Sequence, residues 1–288
     1  MDRSKKQLIS FIGSALATAG IVFVSLKILD YGAHSDFFSL DRQQIFALVG
    51  LAFVCGLSNV ILVLAWTNVL SFFGVSGSFW QSFKIYGLSQ IAKYVPGNVF
   101  HLASRQALGA AAGSSGGSLV KAAILELVLI STAATVLSVL LLPIFFNRFP
   151  TLYSGLVLAG LLILVATLLT RYLNVKIVNA FVCYICFLSV LGTLFLSVLM
   201  LLTNDLLLSA SKGTILSSAF VFAWLVGFLT PGAPAGLGVR EFMLLMLLEN
   251  VVSETELLRA VLYCRIITAF GDIIFFVAAL VLKFKRHV

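Results

Sequence analysis

Lys93-Tyr94-Val95-Pro96-Gly97-Asn98-Val99-Phe100-His101, running on to Arg105, has a twin later in the chain: Thr230-Pro231-Gly232-Ala233-Pro234-Ala235-Gly236-Leu237-Gly238-Val239-Arg240-Glu241. In each stretch seven residues separate a Pro-Gly pair from an arginine, and the prolines, like the arginines, are 135 positions apart. Both stretches lie in strongly apolar surroundings. Proline removes a backbone donor and clashes with the preceding helical turn, and in lipid every freed backbone group needs a new partner. Broken backbone at membrane depth is therefore confined to places that are buried in protein or line a cavity. A pair of such breaks at matching places in two halves of a chain marks a transport site.

The composition agrees with a membrane setting. Of 288 residues, 61% are hydrophobic and 10% charged, and the mean hydropathy is +1.12. A soluble domain needs far more surface charge. The net charge of +8 does not indicate nucleic acid, because the basic residues gather at termini and at the ends of apolar runs, where they orient a protein in a membrane or meet anionic headgroups. The first apolar run, Leu8–Leu29, is too long for a signal h-region and lacks a small-residue cleavage site, so it predicts a span. Cys55, Cys183, Cys186 and Cys264 all lie in apolar runs and are expected to be inert core thiols. His34, His101 and His287 are scattered, which gives no metal-ligand pattern.

Hydropathy predicts spans at about 8–29, 44–73, 119–142, 151–170, 177–202 and 257–282. Adding 135 to the first three lands close to the last three, so the whole chain, 1–288, reads as one membrane domain with repeats at approximately 1–146 and 147–288. Phe79–Val95 has about 17 residues and reaches about 25 Å, short of a hydrocarbon core of about 30 Å. It is expected to dip into the membrane, turn at Pro96-Gly97 and return through 98–112. The second copy is expected to do the same from Thr214 to Leu248. The fold class is thus an all-α polytopic membrane protein, with about six transmembrane helices and two re-entrant helical hairpins in an inverted repeat. Basic residues favour a cytoplasmic N-terminus: Arg3, Lys5, Lys6, Arg171, Lys176, Lys283, Lys285 and Arg286 fall on one side. Three spans per repeat then invert the halves and leave both termini in the cytoplasm.

Charges inside the membrane are functional candidates because each is costly at depth. Lys84 and Lys121 lie near expected surfaces and are read as snorkelling or paired. Arg265 and Asp272 are seven apart on one helical face, and Glu126 lies on the partner helix of the first repeat. These three form a candidate ion-pair network. Arg105 and Arg240 occupy equivalent places on the returning arms of the hairpins. Arginine stays charged and offers a planar fork suited to phosphate. The pair therefore reads as two anion stations at different depths. There is no P-loop and no recognisable nucleophile–base motif, so no cofactor is expected.

At these motifs the chain resembles the lysylphosphatidylglycerol synthase transmembrane region, or flippase-like domain. The resemblance is carried by Lys93-Tyr94-Val95-Pro96-Gly97-Asn98-Val99 with Phe100-His101, by Pro231-Gly232 through Gly236-Leu237-Gly238-Val239-Arg240-Glu241, by Glu126 and by the Tyr263–Arg265 segment. The soluble aminoacyl-transferase domain of the full-length synthases has no counterpart in this sequence, so synthase activity is not implied. What the resemblance implies is lipid translocation. The expected substrate-binding residues are Lys93, Pro96, Gly97, Asn98, His101, Arg105 and Glu126 in the first half. In the second half they are Pro231, Gly232, Gly238, Arg240, Glu241, Arg265 and Asp272.

These observations lead to the expectation of an inner-membrane lipid translocase for an anionic phospholipid or a polyprenyl-phosphate-linked headgroup. Two other classes stay open. One is a membrane-embedded enzyme acting on a lipid phosphate, with Glu241 or Glu126 as base. The other is a non-transporting partner of a glycosyltransferase or lipid-modifying enzyme.

Overall fold

The computed structural model describes residues 39–75, 77–94, 100–146, 149–203, 209–230, 236–249 and 251–282. The expected first span, Leu8–Leu29, and the turn residues Pro96, Gly97, Asn98, Pro231 and Gly232 lie outside the described residues.

The described residues are helical throughout, with nine helices of ten or more residues: α1 (Arg42–Phe72), α2 (Phe79–Gln90), α3 (Phe100–Ala111), α4 (Gly116–Ser138), α5 (Thr151–Tyr172), α6 (Val175–Thr203), α7 (Ala210–Leu229), α8 (Val239–Leu248) and α9 (Glu254–Val281). A 3-10 turn, Ile91–Tyr94, extends α2, and another, Val139–Leu141, carries α4 on to Phe145. Local sequence explains where the helices begin. Asp41 closes a capping box, accepting from the Gln44 amide at 2.7 Å while the Gln44 side chain accepts from the Asp41 amide at 3.0 Å. Ser78, Ser209 and Ser253 cap α2, α7 and α9 through their hydroxyls.

Six of these helices are long and apolar enough to cross a membrane, so the protein is an all-α, multi-pass membrane protein. Five match expected spans to within a few residues. The sixth is α7, the inbound arm of the second expected hairpin. It begins at Ala210 rather than Thr214, and its 20 residues reach about 30 Å, enough for the hydrocarbon core. Its first-half counterpart, α2 with its 3-10 extension, stays shorter. Among the residues of α5 only Ser154 is buried; Leu158, Leu162, Val165 and Leu169 pack on the core from one face, and the opposite face is exposed.

The helices pair across the two halves: α1 with α6, α2 with α7, α3 with α8, and α4 with α9, their starts offset by between 131 and 139 residues. The packing follows the same pairing, since α2 packs on α9 as α7 packs on α4, and α3 on α4 as α8 on α9. The first of these pairs, α1 with α6, runs antiparallel. Gln44 at the start of α1 donates to the Leu201 carbonyl near the end of α6 at 3.0 Å, and Lys176 at the start of α6 donates to Ser71 at the end of α1 at 3.3 Å. α1 and α6 therefore lie antiparallel against each other along their length.

Two close approaches fix the frame. Gly56 of α1 meets Gly271 of α9 so closely that a Cβ on Gly271 would lie 2.9 Å from both the Cys55 Cβ and the Gly56 nitrogen. Small residues let helix backbones touch in a bilayer, where dispersion rather than the hydrophobic effect holds helices together. On the second hairpin, Gly236 at φ 69° packs its backbone against Gly227 of α7, a position no side chain could share. Phe195 of α6 and Phe220 of α7 stack at 4.9 Å in the core between them.

The thiols only partly follow expectation. Cys55 and Cys264 are buried, whereas Cys183 is half-buried and Cys186 is exposed, because their helix turns that face outward.

Candidate functional site

A cavity of about 120 Å³ lies at the meeting point of the two halves. α1 contributes Asn59; α2 and its extension contribute Tyr86, Gln90, Lys93 and Tyr94; α3 contributes His101 and Arg105; α4 contributes Glu126. From the second half, α7 contributes Trp224 and Phe228, α8 contributes Arg240, and α9 contributes Arg265 and Asp272. Both halves thus deliver charged residues, Lys93, Arg105 and Glu126 from the first and Arg240, Arg265 and Asp272 from the second, into one chamber.

Arg105 is 2% exposed. One of its guanidinium nitrogens donates to both carboxylate oxygens of Glu126, at 2.7 and 2.6 Å. Its guanidinium carbon sits 3.7 Å from the centre of the Tyr86 ring, and the Tyr86 hydroxyl donates to the same carboxylate at 3.2 Å. Glu126 is therefore satisfied from two sides, as a buried carboxylate must be.

Asp272 is held more elaborately. Lys93 lies 2.5 Å from Oδ2, and the Tyr94 hydroxyl donates to the same oxygen at 2.5 Å. Asn59 donates to Oδ1 at 3.2 Å and Gln90 at 3.4 Å, while Gln90 also donates to Asn59 at 3.1 Å. The last residues before the first Pro-Gly break are thus tied to the last span.

Glu241 accepts from the Nε of Arg265 at 2.5 Å, and Arg265 also donates to the Gly236 carbonyl at 3.1 Å. This arginine secures both the turn and the start of α8, which Gly238 opens at φ 80°. The expected network of Arg265, Asp272 and Glu126 is not one unit. The structure divides these residues among three separate pairs, because α3, α8 and the extension of α2 each bring a closer partner. Lys84 donates to the Leu282 carbonyl at 3.1 Å, and Lys121 is exposed.

Three of the four cations in this region are thus matched one for one by carboxylates, and Arg240 is left over. Its guanidinium has neither an ion-pair partner nor a hydrogen-bond acceptor among the described residues, and its buried Nε is unsatisfied. It is 9% exposed and lies 5.4 Å from the Phe220 ring. The asymmetry can be traced to the sequence. The 135-residue offset that carries Arg105 onto Arg240 carries Glu126 onto Val261, which is buried and apolar.

Of the expected site residues that are described, Lys93, His101, Arg105, Glu126, Arg240, Arg265 and Asp272 line the chamber. Glu241 and Gly238 support it from behind. Asn59, Tyr86, Gln90 and Trp66, whose ring lies 5.5 Å from the Arg105 guanidinium, were not anticipated. A buried amide in mid-span was the available signal for Asn59, since each such group in lipid needs a partner.

Comparison with protein-family models and with curated proteins finds no significant match for the chain.

Proposed function

We propose that this protein moves an anionic lipid between the leaflets of the cytoplasmic membrane, with both termini on the cytoplasmic side. The observation that carries the reading is the unmatched Arg240. A buried cation without a counter-ion is strongly disfavoured, and its position in the first turn of α8 adds the positive end of the helix dipole to its own charge. A phosphodiester supplies one negative charge and two oxygens that suit the guanidinium fork. Binding it would bring the chamber to neutrality.

Arg105 takes a different part. A phosphate reaching it has to displace the Glu126 carboxylate, so the first-half station is gated by an internal anion and the second-half station is open. The likeness of the paired Pro-Gly motifs to flippase-like domains supports the same reading. The enzymatic alternative is weakened by the geometry: Glu126 and Glu241, the candidate bases, are each engaged by an arginine.

The test is reconstitution into liposomes with a fluorescent phosphatidylglycerol in both leaflets and an impermeant quencher outside. Translocation gives quenching beyond the outer-leaflet fraction with the probe chemically intact. Hydrolysis of the probe would support the enzyme reading, and neither change would favour a non-transporting partner of a lipid-modifying enzyme.

A further inference from the structure

A second groove shares the wall residue Leu127 with the central cavity and opens towards the bilayer. It has a volume of about 490 Å³ and follows one face of α4 past Val128, Ser131, Thr132 and Thr135, with Leu229 at the end of α7 as its far wall. The Leu127 side chain separates the groove from the charged chamber. Its outer side is open, since Val128 is 55% and Leu229 59% exposed. Both helices are among those able to span, so the opening faces hydrocarbon.

The groove is more apolar than its sequence suggests. Thr132 donates its hydroxyl to the Val128 carbonyl at 2.8 Å, and Thr135 donates to Ser131 at 2.9 Å. These two donors are used within the helix. A polar headgroup gains nothing there, whereas a hydrocarbon chain does.

The repeat supplies an independent comparison. The 135-residue offset carries Tyr94 onto Leu229 and Leu137 onto Asp272. In one half, Tyr94 is latched to Asp272 by a hydrogen bond, and Lys93 reinforces it. In the other, the residues at the offset positions are Leu229 and Leu137, which have no polar group to join. The polar latch of the first half thus has no counterpart in the sequence of the second.

We infer that the groove between α4 and the end of α7 holds one acyl or prenyl chain of the cargo while its phosphate sits at Arg240. The cargo is then a chain-bearing phosphodiester that enters sideways from the bilayer, not a water-soluble anion. This rests on the anion-binding reading of Arg240.

The experiment uses the whole protein in phosphatidylcholine vesicles containing phosphatidylglycerol with a photoreactive diazirine in one acyl chain. After irradiation, adducts are mapped by mass spectrometry. The expected result is several-fold enrichment on 127–135 and Leu229 over Leu156, Ile163 and Leu164 of α5, exposed side chains that any surrounding lipid touches. Thr135→Phe should remove the groove adducts and leave those on α5 unchanged. Even labelling of the two helices would overturn the inference. Arg240→Ala separates the two claims. Groove adducts that persist undiminished in that variant support the groove and overturn the anion reading. Arg240-dependent adducts that map elsewhere overturn the groove and support the anion reading.

Discussion

Arg105 donates to both carboxylate oxygens of Glu126, at 2.7 and 2.6 Å, in a setting where both side chains are almost fully buried. The pair joins the returning arm of the first hairpin to the span that follows it. Breaking such a pair from one side leaves an uncompensated charge, whereas replacing both sides with apolar groups does not.

Arg105→Ala and Glu126→Ala should therefore each destabilise the protein, by roughly 3–5 kcal/mol for a fully buried pair. The double variant Arg105→Met with Glu126→Leu should recover most of the loss. Thermal unfolding in detergent measures it, and single variants that melt with the wild type would show the pair to be energetically idle.

Arg240→Ala should do the opposite. Removing a buried cation that has no described counter-ion is expected to leave stability unchanged or to raise it. A marked fall in melting temperature would mean that the guanidinium carries a structural partner after all. Contrary signs for two arginines in equivalent positions are the thermodynamic signature of the asymmetry.

Lys93 and Asp272 should be coupled. A double-mutant cycle of Lys93→Met and Asp272→Asn is expected to give an interaction energy within the range of about 0.5–3 kcal/mol found for groups sharing one network. Strict additivity would show that Tyr94, Asn59 and Gln90 hold Asp272 without the lysine.

Gly271→Leu should force α1 and α9 apart, because even a Cβ at that position would lie 2.9 Å from Cys55. Overpacking of this kind costs about 1–3 kcal/mol and here should also loosen the adjacent Asn59–Asp272 hydrogen bond. A variant with wild-type stability would contradict the packing described.

The sequence made the spans legible because a stretch of some 20 apolar residues has few other uses. It made the repeat legible because Pro-Gly and arginine recur at one offset. It also identified Glu126 and Asp272 as acids in need of a cation. It did not reveal which cation each acid takes. Arg265 and Asp272 share a helical face, yet Arg265 turns to Glu241 and Asp272 to Lys93, since the choice is made by helices far apart in sequence. The length of α7 was missed for a local reason. Ser209 caps the helix five residues before Thr214, so residues 210–213 are helical too. The difference between Arg105 and Arg240 was present all along in the pairing of Glu126 with Val261, but it becomes informative only once α4 and α9 are known to occupy equivalent places.

The most direct test of the central claim is the rate of leaflet transfer of fluorescent phosphatidylglycerol per folded, inserted molecule of Arg240→Ala. Loss of one charge-assisted hydrogen bond at a dry site is worth about 1.5–3 kcal/mol, so the rate should fall by at least about tenfold while the melting temperature holds. Arg240→Lys should restore it only in part, because lysine keeps the charge and loses the fork. Transfer at the wild-type rate by well-folded Arg240→Ala protein would contradict the account.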